Sequence, residues 1–228
     1  MDYKRGRGAQ INTPNKFHRE EITREHIESI DDWTETSAAT QYIEQEAKSI
    51  VNKVDSPDVG MWYSMNPYAG CEHGCIYCYA RNTHEYWGYS AGTDFESKII
   101  VKKNAAKLLR KFLMNPKWEP VPISISGNTD CYQPAEKKYR LTRSLLEVCN
   151  EFNQPVGMIT KNAGMLRDID LLREMAKKKL VSVLVSITSL DENLRQKMEP
   201  RTTTTSQRLR IIRELSQAGV KAGVMLGR

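Results

Sequence analysis

Nowhere in the 228 residues is there an apolar run approaching the ~20 that a membrane-spanning helix requires, so no contact with a membrane is expected. Cysteine is scarce and odd in number, five in all, and no signal-like leader precedes it. A secreted disulfide framework is thereby excluded, and the thiols suit a reducing compartment where they stay free for metal or chemistry. The expected address is the cytoplasm. What remains is 39% hydrophobic and 27% charged, enough apolar material for one globular domain with appendages and too much for a disordered tail.

The formal charge of +6 is unevenly spread. Residues 20–58 hold 11 acidic side chains against Arg24, Lys48 and Lys53, a local −8. The rest carries about +14, from 31 basic and 17 acidic side chains. That balance favours a polyanionic partner, nucleic acid first, through phosphate neutralisation. The alternative is a solvated surface, as in "AKKK" at 176–179, where cations suit a helix end.

Residues 1–60 read as a poorly ordered basic arm, "MDYKRGRGAQINTPNKF", followed by an acidic, irregular or partly helical cap, with a boundary near Pro57 to Gly60. From 61 to 228 short apolar runs alternate with amphipathic stretches, the rhythm of a parallel α/β sheet. Strands are predicted near 61–65, 122–126, 156–160, 181–188 and 221–226, with helices near 104–114, 141–152, 169–179 and 206–218. Asn104, Asp168 and Ser206 are the expected N-caps, and Gly219 closes the last helix.

Alternation assigns faces. Ser124 and Ser126 oppose Ile123 and Ile125, and Ser182, Ser186 and Thr188 oppose Val181, Val183, Val185 and Ile187. A parallel strand covered by helices on both faces reads apolar throughout. A polar face therefore points to a barrel lumen that holds a polar ligand.

Cys71, Cys75 and Cys78 fall within eight positions of "CEHGCIYC", directly after the first strand of the core, and the next thiol is Cys131. Loops at the carboxyl ends of parallel strands are where α/β ligands bind. Structural zinc wants four ligands, and a fourth would have to come from His73, His84 or Cys131. A [4Fe-4S] cluster is held by thiolates at such spacings, and three of them leave one iron open. The cluster is the favoured reading, with a zinc-bound, non-catalytic nucleic-acid module as the alternative.

The triplet, with Tyr77 before its third cysteine, resembles the signature of the radical S-adenosylmethionine (SAM) superfamily. "CIYCYA", "SGNTD", "ITK", "LVSIT" and the "RGRG" arm are similar to the branch that includes spore photoproduct lyase. The resemblance implies a partial (β/α) barrel and a [4Fe-4S] cluster on Cys71, Cys75 and Cys78, with SAM chelating the fourth iron. It implies one-electron cleavage of SAM to a 5′-deoxyadenosyl radical, fed by an external donor of flavodoxin or ferredoxin type. By matching position, Tyr77 would lie against adenine, Ser126, Asn128 and Thr129 would line the methionine and ribose, and Lys161 and Ser186 would bond the cofactor. Cys131 and Tyr79 stand as candidate catalytic residues, Cys131 as a loop thiol able to donate a hydrogen atom, and Arg201 of "EPRT" as a further contact. Two departures matter. Gly127 occupies the place of that lyase's hydrogen-donating cysteine, and the barrel reads as truncated after its fifth strand.

Overall fold

The computed structural model describes residues 3–17, 39–55 and 60–226. The acidic stretch through residue 38, part of the expected boundary near Pro57, and Arg228 lie outside the described residues.

Among the described residues nine strands form two sheets. The larger contains β2 (Val51–Lys53), β3 (Tyr63–Met65), β6 (Ile123–Ile125), β7 (Val156–Thr160), β8 (Val181–Ile187) and β9 (Lys221–Leu226), side by side in that order. β3 through β9 run parallel, and β2 is antiparallel against β3. The smaller sheet places β5 (Lys98–Lys102) between β1 (Gln41–Gln45) and β4 (Tyr68–Ala69). Register brings Met65, Ile125 and Met158 level. The loops that follow β3, β6, β7 and β8 therefore open at one end of the sheet.

The α/β architecture is a partial barrel wall of the expected kind, and all five predicted core strands are present. The helices are α1 (Thr93–Ser97), α2 (Ala105–Leu113), α3 (Ala135–Tyr139), α4 (Leu141–Glu151), α5 (Ile169–Lys177), α6 (Glu192–Met198) and α7 (Thr205–Gln217). The longer ones bury a stripe at helical spacing, Ala105, Leu109 and Leu113 in α2 and Leu141, Leu145 and Leu146 in α4. Apart from Leu141, which packs with Tyr68 and Ile99, these meet Ile123, Ile125, Val183 and Val185 from the outer face of the sheet. The inner face is small and polar, as the alternation predicts: Ser64, Ser124, Gly157 and Ser182 stand in register across four strands.

Three expectations need correction. Residues 41–45 and 51–53, read as irregular or partly helical, are strands. β1 bonds to β5 and β2 to β3, so the cap is built into the sheets, where pairing outweighs weak local propensity. Residues 3–17 of the arm are not loose: Asn12 and Thr13 bond to Thr93, Asp94 and Ser90, and Asn15 donates to the Glu85 and Tyr89 carbonyls. Hydrogen bonds there replace apolar burial. The three expected N-cap side chains do not cap either. Asn104 bonds the Ala47 backbone at 2.9 Å through both Oδ1 and Nδ2, Asp168 is consumed by Tyr132, Arg143 and Arg167, and Thr204 rather than Ser206 precedes α7. Gly219 does close α7, at φ +79°.

Candidate functional site

Backbone geometry at the cysteine loop demands glycine. Gly70 and Gly74 adopt φ of +78° and +69°, and a Cβ at Gly70 would meet the Phe95 carbonyl oxygen at 2.9 Å. Between them Cys71 N donates to Phe95 O at 2.8 Å, and beyond them Ile76 N donates to Met198 O at 3.0 Å. Arg81 holds the Cys75 carbonyl at 2.9 Å. The arm closes the outer side: Gly8 N and Ala9 N donate to the Glu96 carboxylate at 3.1 and 2.9 Å, and Arg7 donates to the Glu96 carbonyl. A Cβ at Gly8 would overlap the Gly74 carbonyl.

Cys71 and Cys75 are buried and Cys78 is half-buried. Burial, then Asp130 and Cys75, pushes the Cys71 thiol well up. Burial likewise raises Cys75 to about 12. Buried thiols like these ionise only when a cation supplies the missing charge, which iron ligation does. Among the described residues no three His, Cys, Asp or Glu side chains converge where a single ion would sit. Three thiolates at this spacing would fit a [4Fe-4S] cluster.

Three loops are tied to this one. After β6, Ser126 takes φ +79° and its hydroxyl accepts from Cys131 N at 2.9 Å. Asn66 Oδ1 accepts from Asn128 N and Thr129 N at 3.2 and 3.4 Å, Thr129 Oγ1 donates to Tyr68 O at 3.0 Å, and the exposed Tyr79 donates to the Gly127 carbonyl. Asp130 then reaches β7, accepting from Thr160 Oγ1 at 2.8 Å and Lys161 N at 2.7 Å. Its carboxylate also lies 3.5 Å from His73 Nδ1. Burial lowers the His73 pKa despite Asp130, so the imidazole stays neutral and the contact is no ion pair.

Tyr77 projects from the cysteine loop with its hydroxyl donating to Glu199 and the Lys161 ammonium 6.0 Å from its ring centroid. Glu199, fully buried, also accepts from Thr188 at 3.0 Å and from Arg208. Burial pushes its carboxyl up, yet the Tyr77 hydroxyl and the Arg208 guanidinium outweigh that and hold it below its ordinary value. Arg208 donates to the Ser186 carbonyl at 2.9 Å, fixing the end of β8.

The structure thus brings Cys71, Cys75, Cys78, Tyr77, Tyr79, Thr129 and Lys161 into one bonded set of loops. Cys131 has no exposed surface and packs in the main apolar cluster, where the Ser126 hydroxyl, accepting from its backbone N–H, turns the chain inward. Arg201 is placed through its backbone, donating to His73 O at 3.2 Å. Sequence reasoning missed Asn66, Glu199 and Arg208, and gave Asp130 of "SGNTD" no role. "NPYAG" and "EPRT" were the available signals; an arginine within a helix gives none.

The family model described as Radical SAM superfamily matches residues 65–227. An uncharacterised protein of Mycobacterium tuberculosis is 37% identical over 180 residues, 78% of this chain and 53% of that one. An uncharacterised protein of Methanocaldococcus jannaschii is 29% identical over 181 residues, 79% of this chain and 64% of that one. The chain thus spans about half the length of the first of these relatives. In shape it is similar to spore photoproduct lyase complexed with dinucleoside spore photoproduct, with a TM-score of 0.64 at 18% identity over 89% of this chain and 56% of that chain. A variant of that lyase with bound AdoMet and dinucleoside spore photoproduct aligns with a TM-score of 0.62 at 18% identity, covering 82% and 51%.

Proposed function

Because the chain belongs to the radical SAM superfamily, we propose that Cys71, Cys75 and Cys78 carry a [4Fe-4S] cluster and that the loops around them bind SAM for hydrogen-atom abstraction from a nucleic-acid substrate. The bound cluster and SAM supply a 5′-deoxyadenosyl radical when one electron arrives from a flavodoxin- or ferredoxin-type donor. The chain's residues bind, orient and exclude water. Tyr77, held by Glu199, offers a fixed ring face to adenine. Ser126, Asn128 and Thr129, shaped by Asn66, line the methionine and ribose, and Lys161 and Ser186 hold the remaining polar groups. Tyr79, exposed and bonded to the Gly127 carbonyl, is the candidate substrate contact at the rim.

The observation that carries this reading is the thiol triplet on one loop, with Cys71 and Cys75 buried and Cys78 half-buried, braced by Tyr77 and the Asp130 loop. Nucleic acid as substrate is supported by the basic remainder of the chain and by the dinucleoside ligand of the similarly folded lyase. Gly127 argues that the reaction differs from that lyase's at the hydrogen-return step. Anaerobic reconstitution tests the reading. The expected result is about four irons per chain and 5′-deoxyadenosine on adding SAM and dithionite. A colourless protein with one zinc would overturn it.

A further inference from the structure

Strand β5 and the residue after it carry three lysines, and only two have an acid. Lys98 pairs with Asp94 at 3.1 Å and Lys103 with Glu44 at 2.9 Å. Lys102 is the most enclosed of the three, yet among the described residues no carboxylate lies within ion-pair distance of its ammonium. It donates to the Asn66 carbonyl at 2.9 Å and lies 5.9 Å from the Trp87 ring centroid. Burial alone lowers its pKa. A desolvated cation without an acid is the arrangement proteins avoid unless an anion arrives from outside.

Lys102 lines a cleft of about 770 Å³. One wall is the helix that runs on from Cys78, with Thr83 and Trp87; another is Asn66 with Asn128 and Thr129. The β1–β2 connection supplies Lys48 and, opposing it, the exposed carboxylate of Glu46. The cleft therefore adjoins the proposed cofactor loop and offers a cation, an indole face and side-chain amides together. A phosphate on a planar ring answers that set: the ammonium neutralises the phosphate, the Asn66 amide nitrogen donates to its oxygens, and the indole packs on the ring.

We propose that this cleft seats a backbone phosphate of a single-stranded nucleic-acid substrate, with Lys102 as its counter-charge and Trp87 beside the adjoining base. The inference rests on the function proposed above only in taking the cleft as the substrate's side of the cofactor loop.

The test is binding to the cluster-free chain, so that it fails separately from SAM cleavage. A fluorescent mixed-sequence trinucleotide is titrated at low salt, with its free nucleosides and inorganic phosphate as competitors. Lys102→Met is expected to weaken binding about tenfold and flatten the log–log salt dependence by about one unit. Lys102→Arg is expected to bind within about threefold of the parent and Trp87→Ala to lose about tenfold. Thermal midpoints of the variants identify any that fail to fold, and Lys102→Arg then carries the comparison. Affinity unchanged in folded Lys102→Met overturns the proposal. So does competition by nucleosides as strong as by the trinucleotide, or tighter binding of an acidic aromatic peptide than of any phosphate-bearing probe.

Discussion

The phenolic hydroxyl of Tyr77 donates to the carboxylate of Glu199, 122 positions further along the chain, and that carboxylate also receives Thr188 and the buried guanidinium of Arg208. One acid therefore fixes the ring beside Cys75 and neutralises the bulkiest fully buried side chain among the described residues. Glu199→Ala leaves Arg208 buried and unpaired, an expected loss of about 3–5 kcal/mol. Tyr77→Phe removes a single hydrogen bond, about 1 kcal/mol. Urea unfolding of both variants checks the contrast, and similar midpoints would dissolve it.

Cys75→Ala is expected to abolish iron binding on reconstitution. Cys131→Ala, changed inside the apolar cluster, is expected to keep the full iron complement and SAM cleavage while losing on the order of 1 kcal/mol of stability. Iron analysis with thermal melts decides. Iron lost from the Cys131 variant would make that residue a ligand and return a four-thiolate site to consideration.

His84 is fully buried, and neither ring nitrogen has a partner among the described residues. Burial first, then Lys98, lowers its pKa to about 4 against the partial support of Asp94. The unfolded chain takes up the proton near pH ~6.5. Stability from keeping the ring neutral is therefore complete above that value and is lost as pH falls toward about 4, by up to about 3 kcal/mol. His84→Leu should flatten this acid limb. Thermal midpoints of parent and variant that fall in parallel from pH ~7 to ~4 would refute the assignment.

Gly8→Val places a side chain where the Gly74 carbonyl stands. The Glu96 carboxylate would lose its bonds to Gly8 N and Ala9 N. In the iron-free protein, Cys71 and Cys75 are then expected to react with an aromatic disulfide reagent at least severalfold faster than in the parent. Thiol titration rates check this, and an unchanged rate would mean that the arm does not guard the loop.

The core strands and helices were legible to within about two residues because each carries a long periodic pattern. β5, "KIIVK", is a short apolar run that periodicity alone cannot place, and β1 is an edge strand held by pairing. The thiol triplet was legible from spacing. The bracing was not: Asn66 acts through backbone amides 62 and 63 positions away, and Glu199 through a tyrosine and an arginine that no local pattern connects. The burial of Cys131 was not legible either, because a loop position says nothing about which way a hydroxyl five residues back will draw the chain.

The docking of Gly8 against Glu96 also sets a timetable for biogenesis. Gly8 leaves the ribosome before its carboxylate partner, which follows 88 residues later, on the order of ten seconds at ordinary translation rates. During that interval the cysteine loop either does not exist or lacks its outer wall. Iron delivered to a nascent or freshly released chain would meet thiols that are still open, whereas a chain that has finished docking would first have to release the arm. Maturation yield should therefore depend on when the iron–sulfur carrier arrives.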